Sequence, residues 1–379
     1  LFAANGYYYN GKKFDSLEKL NSILDQLPSV DHVVVTPYTD SNHDISSVKN
    51  GILWDNFIDS NPSPLKFEQL PFQHPLYIMY SSGTTGLPKS IVHGAGGTLL
   101  QHLKELRLHT NISQDDTVFY FTTCGWMMWN WLVSNLAIGA TIVLYDGTPF
   151  YPSPNAMWDI VDKLGITHFG TSAKFIDACR QEGLSPTNTN SLETLRTILS
   201  TGSPLVEESF DYVYNQIKSD VQLASISGGT DIISCFAGGS PTLPVYRGEL
   251  QCIGLGMDVA AFDLKGNAME NEKGELVCRK AFPSMPIYFW NDPKGKKYRN
   301  AYFNQYPGIW HHGDFIEVNR HGGVTIFGRS DATLNPGGIR IGTAEIYRVV
   351  DAFDEVADSL VVGQIWDGDE RVILFIKLN

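Results

Sequence analysis

One stretch constrains this chain more than any other: Tyr77-Ile78-Met79-Tyr80-Ser81-Ser82-Gly83-Thr84-Thr85-Gly86-Leu87-Pro88-Lys89-Ser90. The apolar run Leu76 to Tyr80 reads as a buried strand. It breaks into a loop of glycine and hydroxyl residues, where Gly83 and Gly86 permit positive φ and close backbone approach to a ligand. Ser81, Ser82, Thr84 and Thr85 add side-chain donors, and Lys89 adds a point charge. Leu99, Leu100, Leu103 and Leu106 follow at helical spacing. Strand, Gly-rich loop and helix in that order can cradle a polyanion such as a triphosphate. The loop is not a Walker A box, because only two residues separate its glycines and Leu-Pro precedes the lysine. Taken alone it is equally an ordinary Gly/Ser turn.

The 379 residues allow two or three domains, and a chain 43% hydrophobic and 18% charged can bury a sizeable core. A formal net charge of −13 argues against a general nucleic-acid binder. The five cysteines are scattered and form no C-x-x-C pair, so we expect neither a disulfide framework nor a zinc site, and we read a reducing compartment. No apolar run reaches the length of a membrane span, and the start lacks a signal peptide and an initiator Met. With the apolar run Val372 to Leu378 at the other end, we read the chain as a fragment cut at both ends.

Leu17, Leu20, Ile23, Leu24 and Leu27 predict a helix, and Val33 to Val35 a strand. From 76 to about 245, strands alternate with helices: strands near 118–123, 140–145, 166–170, 195–199 and 222–227, helices over 126–136 and 157–164. That alternation predicts an α/β fold with largely parallel sheets sandwiched by helices. In such folds ligands sit at the carboxyl ends of strands. Three Gly- or Ser-rich motifs fall there: Ser81 to Gly86, Thr201-Gly202-Ser203-Pro204 and Ser227-Gly228-Gly229-Thr230-Asp231. From about 245 to 330, short strands split by turns predict a small antiparallel β subdomain. A new α+β pattern begins near Asp331, with a helix over 343–352, so we expect a large domain over 1–330 and the start of a small one over 331–379.

Two further blocks complete the pattern. Gly308-Ile309-Trp310-His311-His312-Gly313-Asp314 ends in an acid, and its neighbouring histidines cannot chelate one ion if they lie on a strand. Gly328-Arg329-Ser330-Asp331 runs into Asn335-Pro336-Gly337-Gly338-Ile339-Arg340. Together the loop at 81–89, the Thr230-Asp231 block, the Gly313-Asp314 block and the Arg329 to Arg340 block resemble, in order, the signature motifs of acyl-CoA synthetases and other adenylate-forming enzymes.

The resemblance implies specific roles. The loop Ser81 to Gly86 with Lys89 would clamp the β- and γ-phosphates of ATP, and Gly202, Ser203, Pro204, Ser227, Gly228 and Gly229 would line the same nucleotide site. Thr230 would bond the α-phosphate. Asp231 stands where the family has Glu, one methylene longer, and would help hold Mg²⁺. Asp314 and Arg329 would hold the ribose, Asp331 would be a hinge, and Arg340 would approach the adenylate phosphate or the acyl pocket. Thr230, Asp231 and Arg340 would thus carry catalysis, with no nucleophilic Ser, Cys or His required. Trp126, Met127, Met128 and Trp129 would line the acyl pocket, or equally form a buried core helix. Gly228, where acetate-specific members carry tryptophan, would lengthen that pocket, so acetate alone is a poor fit.

Within the family, Gly125 to Trp131, Leu199 to Leu205, Ser225 to Cys235, Tyr288 to Asp292 and Arg371 to Lys377 most resemble members that activate acetoacetate. That implies a cytosolic ligase making acetoacetyl-CoA from acetoacetate, ATP and coenzyme A for lipid synthesis. A short- or medium-chain fatty acid is the alternative substrate, and a non-catalytic adenylate-binding module the alternative class. A Rossmann dehydrogenase is excluded, because no G-x-G-x-x-G follows an early strand. The family's adenylation lysine lies in the small C-terminal domain, beyond residue 379, so this chain by itself is expected to adenylate very slowly.

Overall fold

Val- and Ile-rich segments form parallel sheets in two separate units of the chain. The computed structural model describes residues 1–40, 44–81, 88–330, 333–334, 341–366 and 369–379. One unit comprises Leu1–Gln69 with Leu144–Met157, the other Leu70–Val143 with Trp158–Asn379. In the first, strands Phe2–Ala4, Val33–Thr36 and Gly51–Leu53 pair in parallel. The helix Leu17–Leu24 turns Leu17, Leu20 and Leu24 onto Val33 and Val35, which gives this unit its own core.

The second unit is built on a five-stranded sheet in the order Gln222–Ser225, Thr197–Thr201, His168–Ser172, Thr117–Tyr120 and Thr141–Val143. Every neighbouring pair in it is parallel. The sheet is an α/β sheet, as the alternation predicts. A five-stranded antiparallel sheet follows, in the order Ala268–Met269, Val259–Phe262, Gly274–Cys278, Trp310–Val318 and Val324–Arg329. The helix Thr343–Val350 and the hairpin Val356–Trp366 with Asp369–Leu378 complete the chain. No helix among the described residues is long and apolar enough to cross a membrane.

Three local expectations need correction. Strand Pro75–Ser81 exists but is not buried: Leu76, Ile78 and Tyr80 alternate outward, with Tyr80 65% exposed. It is followed by a second strand, Lys89–Gly94, rather than directly by a helix. The two pair antiparallel from Ser81↔Lys89 to Pro75↔Gly94, and Ile91-Val92-His93 carries the buried part of the pair. Leu99 and Leu100 of the helix Ala95–Lys104 face outward, at 42% and 52% exposure. The face turned inward is Gly97, Thr98, Gln101 and His102, continued by Glu105 and His109. Gly97 lies so close to Pro283 that a Cβ would fall 1.9 Å from its carbonyl oxygen. The close contact turns the polar stripe, rather than Leu99 and Leu100, into the interior, while Leu106 further along is fully buried.

Candidate active site

A cavity of about 450 Å³ opens at the carboxyl ends of the parallel strands. Its walls bring together Thr201 to Pro204, Ser227 to Asp231, His312, Asp314, Gly328 and Arg329. Trp126, Met127 and Met128 line it as well, beside Trp131 of the short helix Met128–Val133. Five separated stretches of sequence therefore face one space. Trp129 does not line it. Ser82 to Gly86, Asp331 and Arg340 lie outside the described residues.

The acids are held by register and by charge. Asp314 pairs across the antiparallel ladder with Arg329. The guanidinium Nη1 lies 3.6 Å from its Oδ1, and His312 Nε2 lies 3.6 Å from its Oδ2. Gly313 between them has φ +83°, which suits glycine, and lets the strand carry Asp314 inward. His311 points to the other side of the strand and bonds Glu275 at 2.9 Å. Burial lowers the pKa of His312, against the pull of Asp314 and Asp231, so its ring is neutral at neutral pH.

Asp231 is largely buried and pairs through Oδ1 with the ammonium of Lys89 and the phenol of Tyr302. Burial pushes its pKa up, but Lys89, His312 and these hydrogen bonds outweigh it and hold the carboxyl below its usual range. The backbone that carries it is strained: Ile233, fully buried and β-branched, has φ +48°. Such a conformation costs on the order of 1–3 kcal/mol and persists only where the surroundings impose it. Two neutral histidines supply part of that constraint. His93 Nε2 bonds the Thr230 carbonyl at 2.9 Å, and His102 Nε2 bonds that of Ile233 at 2.6 Å.

Among the described residues, no group of three or more His, Cys, Asp or Glu side chains could hold a metal ion alone. Asp231 Oδ2, by contrast, has no hydrogen bond to a described residue, since Lys89 and Tyr302 both use Oδ1. One hard oxygen beside a polyanion site suits Mg²⁺, which typically takes one or two carboxylates and completes its shell with phosphate and water.

The far end of the cavity is polar beneath its Met and Trp walls. Glu105 Oε2 accepts the Trp131 indole N–H at 3.1 Å. Its Oε1 accepts the Cys235 backbone N–H at 3.2 Å and the Ser234 hydroxyl. His109 donates from Nδ1 to the Gly239 carbonyl at 2.8 Å and accepts the Leu255 N–H at 2.9 Å. Gly228 also has a structural reason to be glycine. A Cβ there would lie 2.0 Å from the Ser234 carbonyl and 2.5 Å from Cys235 Cα, because strands Ser227–Gly229 and Ser234–Gly238 approach closely.

Sequence reasoning missed Tyr302, His93, His102, Glu105 and His109. The last three share a visible signal, a polar stripe at helical spacing with Thr98 and Gln101. Tyr302 and His93 carry no local signal; only tertiary packing brings them to residues 230–231.

Acetoacetyl-CoA synthetase of Gallus gallus is 55% identical over 387 residues, covering 100% of this chain and 58% of that protein. Acetoacetyl-coenzyme A synthetase of Rhizobium meliloti (strain 1021) is 56% identical over 376 residues, covering 99% and 58%. The solved structure of the acetoacetyl-CoA synthetase from Streptomyces lividans superposes with a TM-score of 0.90 at 44% identity, covering 100% of this chain and 57% of that one. The anthranilate CoA ligase AuaEII, solved with anthranoyl-AMP, has a TM-score of 0.78 at 22% identity over 96% of this chain and 66% of its own, a likeness of fold alone. The chain thus spans 58% of the length of its curated relatives. The family model described as AMP-binding enzyme matches residues 8–289, well over half of the chain, and the chain belongs to the AMP-binding enzymes.

Proposed function

We propose that the protein containing this chain is an ATP-dependent ligase that activates acetoacetate and passes it to coenzyme A. The observation that carries the proposal is the single cavity joining the Thr230-Asp231 turn and Asp314 to the Trp126–Met128 wall. An acetoacetate oxygen attacks the α-phosphorus of ATP, and pyrophosphate departs. The coenzyme A sulfur then attacks the acyl carbon, the bond to AMP breaks, and the thiol proton passes to solvent.

In this reading Thr230 bonds the α-phosphate, Asp314 and Arg329 hold the ribose, and Lys89 leaves Asp231 to meet phosphate charge. Arg340 and the loop Ser82 to Gly86 would complete the nucleotide site, and Asp331 would be the hinge at which a mobile C-terminal domain, 331–379, begins. Mg²⁺, held by Asp231, would neutralise charge on the phosphates. The protein mainly positions reactants and offsets charge, which is where most catalysis of such transfers lies. A cytosolic setting that supplies lipid synthesis follows from the same reading. The similarity to proteins named acetoacetyl-CoA synthetase supports acetoacetate, rather than a longer acid, as the substrate.

The test is calorimetric titration with acyl-sulfamoyl adenosines carrying acetoacetyl, acetyl and octanoyl groups. We expect the acetoacetyl compound to bind tightest and Asp314→Ala to abolish its binding. Equal binding of all three would remove the acetoacetate assignment, and no binding by a folded chain would refute the adenylating one.

A further inference from the structure

Asp231 must do two things that conflict. It pairs with Lys89, and on the reading above it must stay in place when Lys89 moves to phosphate. A buried carboxylate that loses its counter-charge would turn toward solvent unless another bond retains it. We propose that Tyr302 is that retaining bond: a positioning residue whose phenol holds Asp231 Oδ1 whether or not Lys89 is there, so that Oδ2 is always the oxygen offered to a phosphate-borne Mg²⁺. The inference rests on the nucleotide reading of the cavity.

The geometry supplies the rigidity this needs. Tyr302 ends the helix Lys296–Tyr302 and is buried. Its ring stacks on Trp310, centroids 3.8 Å apart and planes 14° apart. Phe289 and Tyr298 pack edge-on at 5.7 and 5.5 Å. Three aromatic neighbours therefore fix where the hydroxyl points, and it points at Asp231. Burial and the adjacent carboxylate push the phenol pKa up, so it remains a donor throughout the working pH range. Lys89 lies over the face of the same ring, 5.2 Å from its centroid. The ammonium is thus held by charge on a flexible stem, and the phenol by packing. The backbone is anchored independently, through the His93 and His102 bonds to the carbonyls of Thr230 and Ile233.

The experiment is calorimetric binding of α,β-methylene-ATP to the full chain over a Mg²⁺ titration. It compares the wild type, Tyr302→Phe, Tyr298→Phe and Lys89→Met, each first shown to be folded by circular dichroism. Tyr302→Phe keeps the stack and removes only the donor; a charge-assisted hydrogen bond of this kind predicts that half-saturating Mg²⁺ rises about tenfold. Affinity without Mg²⁺ stays within about twofold, since the phenol acts through the carboxylate and not on the nucleotide. Tyr298→Phe, which removes the hydroxyl of a neighbouring half-buried tyrosine not bonded to Asp231, leaves the Mg²⁺ dependence unchanged. Lys89→Met weakens binding overall and keeps the wild-type Mg²⁺ half-saturation, because the phenol is still in place. A wild-type Mg²⁺ curve in Tyr302→Phe, or equal weakening with and without Mg²⁺, would overturn the positioning role while leaving the nucleotide site standing. Failure of the wild type to bind nucleotide at all would overturn the nucleotide reading and this inference with it.

Discussion

Replacing Gly228 by alanine tests whether this position sets pocket length or strand spacing. If its missing side chain merely enlarged the cavity, an added methyl would be tolerated and would trim the space. The geometry forbids that. The Cβ would lie 2.0 Å from the Ser234 carbonyl oxygen and 2.5 Å from Cys235 Cα, both backbone atoms that cannot rotate aside. Strands Ser227–Gly229 and Ser234–Gly238 would have to separate, in a region where Ile233 already sits at positive φ. Overpacking of this kind costs about 1–3 kcal/mol, and the backbone obstacle puts Gly228→Ala at about 3 kcal/mol. For a unit of this size that lowers Tm by roughly 5 °C. Gly229→Ala is the matched control. Its Cβ would meet the His312 ring at 3.6 Å, an ordinary contact, so stability should change by less than about 1 kcal/mol while the methyl intrudes on the cavity. Differential scanning calorimetry of both variants decides the matter. A Gly228→Ala protein as stable as the wild type would refute the argument and return the residue to pocket size alone.

Glu105→Ala should destabilise the second unit by at least about 3 kcal/mol, because it strands the buried Trp131 indole, the Ser234 hydroxyl and the Cys235 amide together; urea unfolding followed by Trp fluorescence measures it. Low pH should also destabilise the fold through buried histidines. Burial lowers His93 and His168 to about 4 each, from an ordinary value of 6.5. The unfolded chain therefore binds the proton first, so each contribution is complete above pH about 6.5 and is lost as pH falls toward about 4, with a slope up to about 1.4 kcal/mol per pH unit per histidine. Urea midpoints between pH 4.5 and 7.5 should show this, with a shallower fall in His168→Gln; an unchanged slope in that variant would contradict the assignment.

The sequence was most legible where chemistry is local. The motifs at 201–204 and 227–231 are contiguous runs just past the parallel strands Thr197–Thr201 and Gln222–Ser225, and the parallel order of that sheet puts those ends on one side, so alternation alone sufficed to bring Gly202 and Ser227 to one place. It failed where burial depends on what lies opposite. Leu76 and Leu100 are apolar at the right spacing and still face outward, while Gln101, His102 and Glu105 turn inward because Met257, Ile233 and Ser234 offer them partners. A periodicity argument scores hydrophobicity, and a helix buried through hydrogen bonds runs against that score. Gly228 shows the same limit from the other direction. An absent side chain looks like empty space in a sequence, yet here a neighbouring strand fills it. Tyr302 lies 71 residues from the carboxylate it bonds, and nothing in its own neighbourhood marks it. The acids that would meet the nucleotide are readable from motif, but the residues that hold those acids still come from other strands and helices, and only the fold identifies them.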